Sequence, residues 1–370
     1  MKKKLAIISA NEDQLPLVNK AKEMGIETHC FSWDKTKEHT VCKGIADYFH
    51  PISILEKEQI LEKCKEINVD GVTSICSDIS VPTVAFVAQG MGSIGNSYED
   101  MLITSEKFTM YQAFRHHGVS LPRFAIAKEN IDLTGFRYPL IVKPVDRCIS
   151  IGVIKVERED ELRAAVQQAQ DCSYRKEAVV SEFITGFELS VDTISYNGNH
   201  YIMAIKEREM IIEDHAPKKI AGHYPFELPT EIQAKIITET HKILDSINYK
   251  YGASNTEFRL ADDGEVYALE VNPRMAGDES HILMKLHNGY DVVKGVIDVA
   301  LNQFETPEFT EKKYSGIYYC RENTEWIKQA IENRENDPDI VEAAFYGEDQ
   351  IHHGRIGYFI YQSAQKRRWK

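Results

Sequence analysis

The stretch ALEVNPRMAGDES, residues 268–280, sets the interpretation of the chain, because polar side chains interrupt an apolar, strand-like pattern. Alternate residues of a strand share one face, so Glu270 and Asn272 point to one side and Tyr267, Leu269 and Val271 to the other. The segment ASNTEFRL (253–260) precedes this stretch and is joined to it through ADDGE. We predict a hairpin that places Glu257 across from Glu270 or Asn272.

Such a hairpin brings two carboxylates and an amide oxygen together. Like charges at that distance repel, so a cation is expected among them. Hard oxygen ligands in an open cluster suit Mg²⁺, which takes its remaining ligands from phosphates and water. A solvent-facing polar edge without a metal accounts for the same pattern. From the hairpin alone, both interpretations stay open for Glu257, Glu270 and Asn272.

The segments before residue 100 alternate between strand-like and helix-like patterns. KLAIISA (4–10), IETHCFSW (26–33) and VDGVTSIC (69–76) are strand-like, and amphipathic helical stretches lie between them. Short alternating units predict a parallel sheet with helices on both faces. No GxGxxG follows the first strand, so the sequence does not support dinucleotide binding.

After residue 120 the pattern changes to short strands, which predicts a mixed α+β region in two subdomains. ISYNGNHYIM (194–203) is a hairpin signal with Asn197 and Gly198 at the turn. TEIQAKIITETHKILDSI (230–247) predicts a long helix before the second hairpin. The last sixty residues read as a smaller, strand-bearing tail.

Composition excludes several function classes. The 370 residues carry a net charge of -13, and the acidic residues are spread along the chain, which argues against a nucleic-acid surface. The basic terminus QKRRWK (365–370) is expected to be solvated. Seven cysteines without a CxxC pair indicate reduced thiols. The apolar run Leu5–Ile8 is too short for a signal peptide, and no stretch could span a bilayer, so we expect a cytoplasmic protein without a membrane partner.

Two lysines occupy unusual positions. Thr104 or Ser105 is the predicted N-cap of a helix that holds Lys107 in its first turn, where a cation opposes the helix dipole. Lys143 interrupts an otherwise apolar strand, and a buried lysine must be paired. A phosphate oxygen or a structural salt bridge satisfies either residue.

Three further segments carry weaker signals. In VVSEFITGFELSVD (179–192), the connector around Gly186 presents carboxylates that suit a purine and ribose, or it is a plain hairpin. The loop DRCISIGVIKV (146–156) holds one glycine, Gly152, and is a weak phosphate-binding signal. His223, between Gly222 and two prolines, is more often a structural residue than a functional one.

The order of these segments resembles the ATP-grasp superfamily over most of the chain. A helical lysine is followed by Val-Lys-Pro on a strand, a short loop, and Glu-Phe-(x)₄-Glu. NTEFR and EVNPR follow, with Glu257 thirteen residues before Glu270. GHYP resembles the Gly-His-x-x-Pro region of the carboxylate–amine ligase branch, which includes L-amino acid ligases, with one residue fewer before the proline. GRIGYF (354–359) resembles the closing strand of that branch.

The resemblance implies a fold class of α/β and α+β: an N-terminal parallel α/β (pre-ATP-grasp) domain followed by a two-subdomain ATP-grasp fold. The implied domains are the N-terminal domain at 1–103, a small lid subdomain with its linking helix at 104–186, a large subdomain with the metal hairpin at 187–310, and a strand-bearing tail packed on the large subdomain at 311–370.

The resemblance also assigns roles, with Arg274 as the catalytic residue that holds the transferring phosphate and the tetrahedral intermediate. ATP would be bound by Lys107 and Lys143 at the phosphates, by Glu182, Phe183 and Ile184 at the adenine, by Glu188 at the ribose, and by Ser150 and Gly152 in the mobile loop. One or two Mg²⁺ ions, with Mn²⁺ as an alternative, would be held by Glu257, Glu270 and Asn272.

The implied activity is ATP-dependent ligation of a carboxylic acid to an amine or amino acid through an acyl-phosphate, releasing ADP and phosphate. Dimers are common among such ligases, so the resemblance also suggests a homodimer. Two departures stand out. Cys148 and Ile149 replace small residues of the mobile loop, and Asp278 follows Gly277 where the branch often has a second glycine. We hypothesise that Asp278 and Glu279 face the substrate and recognise an amine, with His223 as a further substrate candidate.

Two alternatives remain. The first is a purine-pathway or biotin-carboxylase-like ATP-grasp enzyme that uses bicarbonate or formate as its acid. The second is an ATP-binding sensor without turnover, which the glycine-poor loop favours and the intact set of lysines, carboxylates and Arg274 opposes.

Overall fold

The structure is a computed structural model that describes residues 2–127, 131–148, 150–213, 216–310, 312–347 and 354–369; Ile149 of the predicted mobile loop lies outside this part. Three sheets organise the described residues, one parallel and two antiparallel. The predicted fold class, a parallel α/β domain followed by mixed α+β subdomains, is confirmed.

The N-terminal sheet is parallel and has the order β3-β2-β1-β4. Its strands are β1 Lys4–Ile8, β2 Glu27–Phe31, β3 Tyr48–His50 and β4 Gly71–Thr73, and its helices are α1 Leu15–Glu23, α2 Lys57–Ile67, α3 Val81–Met91 and α4 Tyr98–Ile103. The strand order reverses between β1 and β4, so their carboxyl ends open a crevice. That crevice faces the loop after Asn272, where the Cys76 amide donates to the Met275 carbonyl at 3.3 Å.

The small antiparallel sheet has the order β5-β8-β6-β7. It consists of β5 Phe124–Ile126, β6 Leu140–Pro144, β7 Ile154–Val156 and β8 Ala178–Glu182, with α5 Lys107–His116 before it and α6 Glu159–Cys172 across it. Leu140, Val142 and Val180 are fully buried against Ala165 and Ala169 of α6. The apolar face of the helix thus holds the sheet together.

The large sheet has eight strands in the order β13-β12-β9-β10-β11-β14-β16-β15. Its strands are β9 Phe187–Tyr196, β10 Asn199–Glu213, β11 Ala216–Tyr224, β12 Gly252–Leu260, β13 Val266–Asn272, β14 Tyr314–Cys320, β15 Ile340–Phe345 and β16 Gly357–Ser363. Its helices are α7 Thr230–Ser246, α8 Ser280–Asn288, α9 Val292–Ala300 and α10 Glu325–Glu332. The strands of the last sixty residues therefore extend this sheet.

Local signals have mixed outcomes. Asn197 and Gly198 form the β9–β10 turn with φ of 51° and 77°, as predicted. The predicted N-cap of α5 at Thr104 or Ser105 is wrong. Glu106 is the extended residue before the helix, and its carboxylate accepts from the Phe108 and Thr109 amides at 2.7 and 2.8 Å. An anion at this end also complements the helix dipole.

Within the C-terminal basic segment, Arg367, Arg368 and Trp369 are partly buried, contrary to the expected solvated terminus, whereas Gln365 and Lys366 are exposed. The Arg367 guanidinium pairs with Asp337 at 2.5 Å, and the Trp369 indole donates to the same carboxylate at 3.1 Å. Arg368 pairs with Glu207 of β10. Acidic partners on β10 and in the segment before β15 therefore hold these three residues in place. Among the described residues, no helix combines the length and apolar character needed to cross a membrane.

Gly186, at the entry to β9, provides a stability test. Its φ is +125°, and an added Cβ would lie 2.1 Å from the Leu260 carbonyl oxygen. We expect Gly186→Ala to lower the free energy of unfolding by about 3 kcal/mol through backbone strain and overpacking. Gly198→Ala is the matched control: its φ is +77° with no atom within 4 Å, so only a left-handed backbone cost of about 1 kcal/mol applies. Equal losses in urea unfolding would contradict this packing.

Candidate functional site

The β12–β13 hairpin sets the geometry of the candidate site. Glu257 lies opposite Glu270, and Asn255 lies opposite Asn272, so the predicted cross-strand carboxylate pair is confirmed. A bulge beside Glu257 adds Leu269 to β13 and changes its alternation. As a result Ala268 is buried, whereas Leu269, expected to face the core, is only half-buried.

Two cations from other elements lie against this carboxylate pair. The Lys107 ammonium at the start of α5 is 3.4 Å from Glu270 Oε1 and donates to the Arg147 carbonyl at 2.7 Å. The Arg208 guanidinium of β10 is 2.5 Å from Glu257 Oε1. The repulsion expected between the facing carboxylates is thus relieved within the chain.

Electrostatics agree with this geometry. Burial raises the pKa of Glu257. The positive charges of Arg208, Arg274 and Lys219 together lower it by more, so the net pKa is below its usual value. Burial lowers the pKa of Lys107, but the charge of Glu270 and its hydrogen bond to Lys107, together with Tyr111 and Cys148, raise it, and the net pKa is above its usual value. Both shifts favour the charged form of the group concerned.

Arg274 connects the hairpin to the N-terminal domain. Its Nε lies 2.7 Å from Asp78 Oδ1, and its Nη2 donates to Asp78 Oδ2 at 3.0 Å. The loop after β6 lies close to this pair. Burial, and then the negative charge of Asp78, raise the pKa of the Cys148 thiol in this loop, whereas Lys107 lowers that pKa. Arg274 thus lies where the parallel sheet, the β12–β13 hairpin and the predicted mobile loop meet.

Arg208 and Asp78 were missed at the sequence level. Arg208 lies in MAIKEREM (203–210), where charged residues interrupt a predicted strand as Lys143 does in its own, so the same rule would have selected it. Asp78 carried no signal, because its partner Arg274 lies 196 residues away in the sequence.

The other predicted nucleotide residues lie along β6 and the β8–β9 connector. Lys143 Nζ donates to the Tyr111 hydroxyl at 3.2 Å, and that hydroxyl donates to the Leu269 carbonyl at 2.8 Å. Glu182 Oε1 accepts from the Arg137 amide at 2.9 Å. Lys143 therefore points toward the same β13 segment as Lys107.

Phe183, Ile184 and Glu188 follow Glu182 along this connector. The Phe183 ring lies between the Lys155 ammonium, 4.6 Å from its centre, and the Arg259 guanidinium at 5.3 Å. Ile184 is half-buried. Arg259 Nη2 donates to Glu188 Oε2 at 2.8 Å, so Glu188 is already paired.

The predicted mobile loop needs its glycine. Gly152 has φ of +70°, and an added Cβ would meet Pro144 Cγ and Cys172 Cβ at 2.8 Å. Ser150 also has positive φ, at 55°. This segment therefore packs closely between β6 and the end of α6.

The three substrate candidates differ in their surroundings. His223 is 2% exposed, its Nδ1 lies 3.0 Å from the Tyr361 hydroxyl, and its Nε2 lies 3.1 Å from Glu209 Oε1, so both ring nitrogens are engaged. Asp278 and Glu279 have φ of 59° and 55°, a conformation that costs non-glycine residues of order 1 kcal/mol each. Asp278 and Glu279 lie close enough to Asp13 of the N-terminal domain for their charges to interact with it.

Cations lie beside Asp278, whereas other acids lie beside Glu279. Burial raises the pKa of Asp278, but Arg355 and Lys219 together hold it well below its usual value. Burial raises the pKa of Glu279 to about 7, with further contributions from Glu342, Asp13 and Asp278. Sequence analysis missed the two basic partners of Asp278.

The residues present fit a magnesium ion. Glu257, Glu270 and Asn272 supply oxygen donors at one strand end, a set that suits Mg²⁺ when phosphates and water complete the shell. Among the described residues, no three His, Cys, Asp or Glu side chains form a metal cluster of their own. The hairpin supplies part of a coordination shell, and phosphates and water would supply the rest.

Comparisons with known proteins place this geometry in context. Residues 136–281 match the family model of the ATP-grasp domain. The carbamoyl phosphate synthase large chain of Thermoanaerobacter sp. (strain X514) is 27% identical over 261 residues, which are 69% of this chain and 24% of that protein. The D-alanine–D-alanine ligase of Rickettsia bellii (strain OSU 85-389) is 33% identical over 148 residues, which are 39% of this chain and 45% of that protein. The chain thus spans about a quarter to under half of the length of these curated relatives.

Solved structures resemble the whole chain. L-amino acid ligase from Bacillus licheniformis gives a TM-score of 0.81 at 21% identity, covering 98% of this chain and 94% of that one. Phosphoribosylglycinamide synthetase from Anaerococcus prevotii gives 0.78 at 23% identity, covering 99% and 95%. At these identities the likeness establishes the fold.

Glu279 provides a pH test of the acidic crevice. Its pKa rises on folding from the ordinary 4.5 to about 7, so the unfolded chain releases this proton at lower pH than the folded chain, and stability falls as pH rises through that window. We expect Glu279→Gln to stabilise the protein relative to wild type at about pH 8, with the difference vanishing near pH 4. Urea unfolding midpoints measure this, with the exposed Glu305→Gln as control. A pH-independent difference would contradict the proximity of these acids.

Proposed function

The chain carries an ATP-grasp domain at residues 136–281, and from this premise we propose that it is an ATP-dependent ligase that joins a carboxylic acid to an amine. The observation that carries the proposal is the meeting of Lys107, Arg208, Glu257, Glu270 and Arg274 at one strand end. Partly buried charged groups with shifted pKa values cluster at functional sites, and Lys107 and Glu257 show such shifts.

ATP is proposed to bind between the small and large sheets. Lys107 and Lys143 would donate to its phosphate oxygens. The purine and ribose would lie along the connector formed by Glu182, Phe183, Ile184 and Glu188. Two of these contacts require an exchange of partners, because Lys107 now pairs with Glu270 and Glu188 with Arg259.

Glu257, Glu270 and Asn272 would hold Mg²⁺, and Arg208 and Lys107 would leave these carboxylates when it binds. The metal ion would supply neutralisation and orientation of the phosphates. The chain itself supplies the positively charged Lys107 and Arg274 beside the reacting groups.

The proposed reaction has two steps. In the first, an oxygen of the substrate carboxylate attacks the γ-phosphorus of ATP, the bond between that phosphorus and the ADP oxygen breaks, and an acyl-phosphate forms. The amine nitrogen then attacks the acyl carbon, loses a proton, and expels inorganic phosphate. Arg274 would stabilise the negative charge on the transferring phosphoryl group and on the tetrahedral intermediate, and such a donor typically contributes about 10²-fold or more in rate.

The loop around Ser150 and Gly152 would exclude water from the reaction site. An acyl-phosphate hydrolyses if water reaches it, so closure of a segment over the site protects the intermediate. The hydrogen bond from Lys107 to the Arg147 carbonyl already joins this loop to the site. This contact supports the proposed small lid subdomain at 104–186.

Substrate recognition is proposed for the crevice between the N-terminal domain and the loop after Asn272. Asp278 and Glu279 would line it, and Glu279, surrounded by other acids, would take the amine. His223 would act through β11 rather than by contact, because both its ring nitrogens are engaged. The domain limits 1–103, 187–310 and 311–370, and a homodimer, complete the proposal.

Arg274→Gln tests the proposed activity. We expect substrate-dependent ADP release to fall about 10²-fold or more, while affinity for a non-hydrolysable ATP analogue changes little. The measurement is ADP release together with mass spectrometry of products from a pooled amino-acid incubation with ATP and Mg²⁺.

Asp78→Asn is the matched variant, since it breaks the same interdomain ion pair but keeps the guanidinium. Its loss of activity should be much smaller than that of Arg274→Gln at equal thermal stability. Full ADP release by Arg274→Gln, or no amide product from the wild type with any acid and amine, would contradict the proposed function.

A further inference from the structure

We propose that Lys219 and Arg355 form a recognition site for a second carboxylate on the acid substrate, so that the ligase prefers a dicarboxylic acid, such as an acidic amino acid, to its neutral amide. This inference rests on the proposed function and names the substrate class for it. Neither residue belongs to the predicted set of site residues.

The site already holds a carboxylate of the chain itself. Arg355 Nη1 donates to Asp278 Oδ1 at 2.7 Å, and the Lys219 ammonium contacts Asp278 Oδ2. The Arg355 guanidinium also stacks 3.7 Å from the centre of the Tyr319 ring, which fixes its direction. One carboxylate thus bridges two cations, and Asp278 shows which chemical group the site accepts.

Four cationic side chains lie close together in this region. Burial and the neighbouring Lys206, Arg208 and Arg355 lower the pKa of Lys219 to about 7, although Asp278 raises it. Lys206 is 3% exposed, and its ammonium donates to the Ser280 hydroxyl at 2.6 Å. Within the described ranges, no carboxylate lies at ion-pair distance from it. Buried cations require anions, so this region is suited to one more negative group.

The cluster is open to a ligand and close to the reacting centre. The side chains of Asp278 and Arg355 are 30% and 21% exposed, whereas Lys219 is 7% exposed and forms the floor. Asp278 follows Arg274 by four residues on the same loop. The side chains of Asp278 and Arg274 both lie within electrostatic range of Asp13. A substrate whose reacting carboxylate meets Arg274 can therefore extend along this loop toward Lys219 and Arg355.

Two features favour displacement of Asp278 rather than a permanent ion triad. Asp278 and Glu279 both adopt left-handed backbone conformations, which are unfavourable for residues other than glycine. Asp278 is also close enough to Glu279 and Asp13 to share their mutual repulsion. A substrate carboxylate that takes over Lys219 and Arg355 lets Asp278 move away from both constraints.

The test compares L-glutamate with L-glutamine and L-aspartate with L-asparagine, because each pair differs in one carboxylate. Binding to the full chain is measured by calorimetry with a non-hydrolysable ATP analogue and Mg²⁺, and kcat/KM is measured by ADP release. We expect at least one acidic member to exceed its amide about tenfold or more in both measurements. Lys219→Met should abolish most of this preference, because it should weaken binding of the acid far more than binding of the amide.

Lys218→Met is the matched control, since Lys218 is the adjacent residue of β11 and points to the opposite face. It should keep the wild-type ratio. Asp278→Asn gives an independent variant that removes the competing carboxylate, and it should increase the acid-to-amide ratio. An acidic ligand should also raise the thermal midpoint of Asp278→Asn more than that of the wild type.

Equal binding of acid and amide by the wild type would overturn the inference. It would also be overturned if Lys219→Met weakened both members equally, since that is the behaviour of a purely structural ion triad. Selective binding of the acid without ADP release from any acid and amine would instead refute the proposed ligase activity and leave the carboxylate site standing.

Discussion

The facing carboxylates of Glu257 and Glu270 are the constraint on which the rest of the site depends. Two half-buried negative charges on neighbouring strands are unfavourable unless cations lie beside them. In this structure the cations are Arg208 and Lys107, which come from β10 and from the start of α5. The hairpin therefore fixes which elements must meet at its end.

This requirement also joins the domains. Lys107 links the large sheet to the loop after β6 through the Arg147 carbonyl, and Arg274 links the same hairpin to Asp78 of the N-terminal domain. Each contact involves a charged group that the proposed reaction needs. Nucleotide and metal would replace partners in this network, so binding and domain arrangement are coupled by the same few ion pairs.

Much of the fold followed from local pattern. Strand alternation has a fixed period of two, so a position for Glu257 opposite Glu270 or Asn272 and the turn at Asn197 and Gly198 could be predicted. The ATP-grasp resemblance is confirmed. The bulge at Leu269 could not, because it depends on how β13 fits β12. Asp78, Lys219 and Arg355 were not predicted, for a related reason. Their partners lie far away in the sequence, and a local residue pattern does not show which distant residues meet in the fold. The C-terminal segment was misjudged because its acidic partners, on β10 and before β15, come close to it only in the folded chain.

The central claim is that the carboxylate pair of the hairpin binds a metal–nucleotide complex in exchange for its present cations. Calorimetric titration of a non-hydrolysable ATP analogue, with and without Mg²⁺, tests it most directly in the wild type and in the Glu257→Gln/Glu270→Gln variant. The account predicts that Mg²⁺ strengthens binding about tenfold or more in the wild type and has little effect in the variant. An equal effect of Mg²⁺ in both proteins would contradict it.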